Sequence, residues 1–153
     1  MKSNLAARIA AESVGTAFLV AAVVGSGIMA ERLANGNAAL ALLCNAIATG
    51  AALVALILAF GSISGAHLNP VVSFSDAVDG RLSRLDATAY VVGQICGGVA
   101  GAIAANAMFG LPFISLAGHH RGGPATRRNH TGNQSGVANE YPHNHAGAVR
   151  YDE

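Results

Sequence analysis

Charged residues are scarce in this chain. Only 11% of its 153 residues are Asp, Glu, Lys or Arg, while 52% are hydrophobic and tryptophan is missing altogether. Ordinary soluble domains carry about 25% charged residues, so the deficit excludes a conventional soluble surface and points to a membrane. The net charge is +1, which gives no ground for a nucleic-acid partner. Of the two cysteines, Cys44 and Cys96, both fall inside apolar segments, where a thiol is more often a small packing residue than half of a disulfide; no redox compartment follows. No Ser/His/Asp set and no paired carboxylates stand out, so the chain is not read as an enzyme. Its glycine-rich stretch around Gly97 follows no strand and is not a dinucleotide fingerprint, so no cofactor is expected.

Three long apolar runs are present, at about 9–30, 38–60 and 87–109. Each is long enough to cross a ~30 Å hydrocarbon core at 1.5 Å per residue. Between the second and third lies Ser64-Gly65-Ala66-His67-Leu68-Asn69-Pro70-Val71-Val72-Ser73, too polar to continue a span. Asn followed by Pro is a helix start, because the asparagine side chain caps and proline suits the first turn. A helix from Pro70 to the Asp79-Gly80 stop would cover roughly 15 Å, half a membrane. The fold class that follows is an all-α membrane protein with three transmembrane helices and one re-entrant loop and half-helix at about 61–79. Such a half-helix aims a positive dipole end and free N–H groups at mid-membrane, and irregular backbone there must be buried or line a wet cavity.

Glu12 interrupts the first run. A carboxylate inside a span is expected to face the bundle and find a partner; the plainer alternative, less than a turn or so from Arg8, is a place among the headgroups. Gly93, Gly97 and Gly101 recur every four residues and predict a smooth ridge for close helix packing in lipid. The N-terminal run faintly resembles a signal peptide but is long and carries Glu12, so a retained first span is preferred. Lys2, Arg8, Arg81 and Arg84 put the N-terminus in the cytoplasm by the positive-inside rule, although Arg121, Arg127 and Arg128 run against it. The expected location is a bacterial inner or cell membrane.

From Gly118 the composition shifts to His, Arg and Asn, which divides the chain into a membrane part, 1–117, and a tail, 118–153, that reads as disordered. The histidine spacing there matches no closed metal site, so no metal is assigned, and a metal-binding tail stays a minor alternative.

At Ser64 to Val72 the chain resembles the first signature loop of the aquaporin and glycerol-facilitator (major intrinsic protein) family. Ala11-Glu12-Ser13-Val14-Gly15-Thr16 is similar to that family's first helix, and Tyr90 to Gly97, with Gln94, to its third. The resemblance implies the N-terminal half of a channel whose two inverted halves meet at Asn-Pro-Ala boxes. It assigns Asn69, Pro70 and Val71 to the pore motif, Gly65, Ala66, His67 and Leu68 to the pore-lining loop, and Glu12 to support of that loop from behind. Thr49, twenty residues before Asn69, takes a filter position that is aromatic in many members and implies a wider or more polar constriction. The box reads Asn-Pro-Val, and no second box follows, so a truncated gene or altered frame is one expected origin. The implied partners are lipid, water or a small neutral solute such as glycerol or a metalloid acid, and a second copy or complementary half-channel. The alternative is a membrane fragment that conducts nothing.

Overall fold

The computed structural model describes residues 4–113; the expectation of a disordered tail at 118–153 lies outside the described residues. Those described form four helices, α1 (Leu5–Leu33), α2 (Ala38–Ser64), α3 (Pro70–Val78) and α4 (Arg84–Met108), without a strand among them. Three of these, α1, α2 and α4, are long and apolar enough to cross a membrane, with mean hydropathies of 1.9, 2.3 and 1.5. The nine residues of α3 reach about 13 Å, half that distance.

Each helix starts where a side chain can take up an orphan N–H. Asn4 accepts from Ala7, Asn37 from Leu40, Asn69 from Val71 and Ser83 from Asp86, at 2.8–3.1 Å. These caps set the ends, and the apolar runs therefore misjudge them. Helix α1 begins at Leu5 rather than near Ile9, α4 begins at Arg84 rather than Ala87, and α2 continues past Phe60 to Ser64. Residues 61–64, expected in the re-entrant loop, are helical because nothing breaks the helix before Gly65, whose φ of +95° stops it. The loop proper is only Gly65 to Leu68, capped by Asn69.

Helix α1 lies between α2 and α4, and α3 packs on α4. Contacts at both ends show that α1 and α4 run parallel: Arg8 meets Asp86 and Tyr90 at one end, and Arg32 donates to the carbonyl of Phe109 at the other, 3.2 Å away. Helix α2 runs back antiparallel, so that Ser26 meets Asn45 and Glu12 meets Ser64. At the Arg8 end a small core of Leu82, Ala87 and Tyr90, with Ile9 and Ala77 against it, closes the turn between α3 and α4. Most other large apolar side chains point outward, as lipid requires. Cys44 and Cys96 are free and exposed on this outer surface, not packed within.

Candidate functional site

Glu12 is 0% exposed and collects four donors on two oxygens. Its Oε1 accepts from the Ser64 hydroxyl at 2.5 Å and the His67 N–H at 3.0 Å; its Oε2 accepts from the Leu68 N–H at 2.7 Å and Gln94 Nε2 at 2.8 Å. The Ser64 hydroxyl in turn accepts from the Ala66 N–H, 3.1 Å away. The headgroup alternative for Glu12 is thereby excluded. Three consecutive N–H groups of the loop thus face inward, toward Ser64 and Glu12. Because N–H and C=O lie on opposite sides of a trans peptide, the carbonyls of Gly65, Ala66 and His67 face the other way, toward the open side on which Gly65 and Asn69 are exposed.

This arrangement holds unfavourable backbone. Ala66 and Leu68 both have φ of +49°, costing of order 1–3 kcal/mol each. Hydrogen bonds to a carboxylate contribute about 1.5–3 kcal/mol apiece, so the three bonds that Glu12 receives from Ser64, His67 and Leu68 offset the strain. The Leu68 side chain, 3% exposed, fits beside Gly15 and Phe60, where a Cβ on Gly15 would come 2.5 Å from its Cδ2.

A second layer fixes the loop against α3. Gln94 Nε2 also donates to Ser73 Oγ at 2.9 Å, Ser73 Oγ lies 3.1 Å from His67 Nδ1, and His67 Nε2 lies 3.1 Å from Asp76 Oδ2. A carboxylate only accepts, so neutral His67 carries its proton on Nε2, and Ser73 donates to Nδ1 while accepting from Gln94. Asp76 is held from outside by Arg81, which also pairs with Asp79. Beneath the loop, Tyr90 donates to the Ser64 carbonyl at 2.8 Å and accepts from Arg8 Nε at 2.8 Å, while Arg8 pairs with Asp86 at 3.0 Å. At the loop's far end Asn69 spends its Oδ1 on capping Val71, 2.8 Å away; its Nδ2 has no acceptor among the described residues.

Sequence comparison supplies the family. The sequence profile of the family described as Major intrinsic protein matches residues 1–141. The chain belongs to that family. Among curated relatives, the aquaglyceroporin AqpS of Rhizobium meliloti is 52% identical over 122 residues, covering 80% of this chain and 52% of the relative. Aquaporin NIP1-1 of Arabidopsis thaliana is 34% identical, covering 74% and 37%, and Aquaporin Z of Bradyrhizobium diazoefficiens is 35% identical, covering 62% and 39%. The chain spans about half, or less, of the length of these relatives. The family match also runs past the composition change at Gly118, farther than the motifs alone reach.

This major intrinsic protein is an integral membrane protein, and its helices are joined by a glycine seam. A Cβ on Gly97 or Gly101 would overlap the backbone carbonyls of Ser13 and Ala17, and one on Gly93 would come 2.6 Å from Ser13 Oγ. Thr49 is half-buried on α2, about 22 Å along the axis from Ser64 and outside the loop network. Val71 is 73% exposed at the tip of α3. No cluster of metal-ligating side chains occurs among the described residues.

Ser64, Ser73 and Asp76 join the site only in the folded chain, although the sequence carries a signal for two of them. Asn69, Ser73 and Asp76 fall at i, i+4 and i+7 of one short helix, the spacing of a polar face. Arg8 and Asp86 lie 78 positions apart, and nothing in their neighbourhoods announces the pairing.

Proposed function

We propose that residues 4–113 build one wall of an aquaporin-type pore that passes water and small uncharged solutes, completed by a complementary half. The observation that carries this reading is the turning of three loop carbonyls away from Glu12 toward the open side, on which Asn69 is also exposed with its Nδ2 unused among the described residues. A solute there would accept from Asn69 Nδ2 and donate to successive carbonyls, exchanging its water partners for fixed ones. The N-terminal end of α3, positive through its dipole, disfavours cations at the same point. Pro70 and Val71 form the tip that would abut the complementary half. Thr49, as the filter residue, would leave room for glycerol or a metalloid acid in addition to water.

A complement is required on energetic grounds. Unsatisfied backbone groups facing hydrocarbon cost several kcal/mol each, so the open edge at Gly65 and Asn69 must be covered by protein, from a second copy or from a matching half. The reading also puts the N-terminus in the cytoplasm of a bacterial inner membrane, with the membrane part at 1–117 and a separate polar tail at 118–153.

Osmotic swelling of proteoliposomes tests it. The purified 153-residue chain at high dilution in lipid is expected to swell no faster than empty vesicles. Reconstitution with a matching half should give water and glycerol permeability that Asn69→Asp lowers. Swelling by single dilute chains, or permeability indifferent to Asn69, would overturn the proposal.

A further inference from the structure

Two polar atoms enclosed in the bundle have no hydrogen-bond partner among the described residues, Thr16 Oγ1 and Gln94 Oε1. Both residues lie inside the packed helices and not on an outer face: Thr16 is 5% exposed and Gln94 1%. Buried polar atoms are nearly always paired, with protein or with ordered water.

The protein donors around them are already committed. Both Gln94 N–H groups are in use, one on Glu12 Oε2 at 2.8 Å and one on Ser73 Oγ at 2.9 Å. Turning the amide over would set Oε1 against a carboxylate oxygen, so the orphan oxygen stays where it is. The nearby hydroxyls are spent as well: Ser64 donates to Glu12, Ser73 to His67, and Ser13 to the Ile9 carbonyl at 2.9 Å. Thr16 is the exception. Ser13, Ser26 and Thr88 each donate to the carbonyl four residues back, the usual resort of a hydroxyl within a helix, and Thr16 does not. It stands one turn from Glu12 on the α1 face that meets α4, opposite Gly98. There the join is loose. A Cβ on Gly98 would lie 3.7 Å from Val20 and 3.8 Å from Thr16, whereas one on Gly97 or Gly101 would come within 2.0 or 2.2 Å of backbone.

We propose that one buried water molecule occupies this layer, donating to Gln94 Oε1 and bonded to the Thr16 hydroxyl. The charge around it selects a neutral ligand. Glu12 receives four donors on its two oxygens, which fills the acceptor sites that a cation would need. An anion has no proton for Gln94 Oε1 and is repelled by Glu12. A buried water needs about two to four polar partners, and the two orphans supply them. Thr16 thereby becomes a positioning residue: through the water it holds the Gln94 amide in the sense that directs both N–H groups at Glu12 and Ser73, and so steadies the loop from the α4 side.

The test is magic-angle-spinning NMR of the full isotope-labelled chain in deuterated lipid bilayers, with magnetisation started on water. Water cross-peaks are expected at the Gln94 side-chain amide and the Thr16 methyl, while Ala105, 0% exposed, gives none. Thr16→Val keeps the shape and removes the hydroxyl; it should abolish the Gln94 peak and shift the amide resonance. Thr16→Ser keeps the hydroxyl and should retain the peak, and it carries the test by itself if the valine variant fails to insert. Absence of both peaks from the wild type would overturn the assignment, and so would a Gln94 peak that persists in Thr16→Val, the result expected of water on the open side of the loop. Loss of the peak in folded Thr16→Ser would overturn it equally.

Discussion

Helix α1 is joined to α4 and to α2 by different means. Toward α4, Gly97 and Gly101 bring backbone against backbone at Ser13 and Ala17, with Arg8–Asp86 and Glu12–Gln94 added on the same join. Toward α2, the contact rests on a polar pair at each end, Ser26 with Asn45 at 2.7 Å and Glu12 with Ser64 at 2.5 Å. Beyond Ser26 and Asn45, toward the turn between α1 and α2, a cavity of about 260 Å³, lined by Met29, Leu40 and Cys44 among others, stays open. Apolar helices in lipid gain nothing by burying apolar surface, so they associate through close packing or polar bonds. The seam with α4 packs along its length; α2 is pinned at points. Glu12 belongs to both joins, since its donors come from α2, from the loop and from α4.

Because Glu12 serves both sides, its loss should have the largest effect. Glu12→Ala leaves the Ser64 hydroxyl, two loop N–H groups and the Gln94 amide without their acceptor. At about 1–3 kcal/mol for each buried orphan, a loss on the order of 5 kcal/mol is expected in an SDS unfolding titration. A loss under 1 kcal/mol would mean that the two joins do not share this residue. Next comes the seam itself. Gly97→Val should cost roughly 3 kcal/mol by overpacking, since it is backbone and not a flexible side-chain end that must retreat.

The control for that substitution lies on the other helix. Gly50 of α2 has open space where a Cβ would go, and Gly50→Ala should stabilise by up to about 1 kcal/mol through helix propensity alone. Equal penalties at Gly50 and Gly97 in the same titration would erase the distinction between seam and pinned helix. The smallest effect is expected at the pin. Ser26→Ala removes a single interhelical hydrogen bond, worth about 0.6 kcal/mol on average in membranes, and should lower the unfolding midpoint only slightly. A loss as large as that of Gly97→Val would show α2 to be held chiefly at this point.

Much of the fold is legible in the residues because its signals are local. Three runs long enough to span, the Asn69-Pro70 start and the glycines at every fourth position are read within a turn or two of chain, and the helices follow them. The errors at the ends have a local cause as well. Hydropathy marks where lipid lies, but Asn4, Ser64-Gly65 and Ser83 decide where backbone hydrogen bonding starts and stops. Cys44 and Cys96 show a different limit, since an apolar neighbourhood in sequence does not distinguish a helix face turned inward from one turned to lipid.

What the residues determine by themselves is therefore the class: a membrane protein of this family, three spans and a half-helix begun by Asn69. What tertiary structure alone decides is the choice of partners. Glu12 is matched with donors 52 to 82 positions away, and Arg8 turns from its own helix to Asp86 and Tyr90. Helix ends are set by atoms a few bonds apart along the chain, whereas a buried hydrogen bond is set by which groups the packing brings within 3 Å, and that depends on every helix at once.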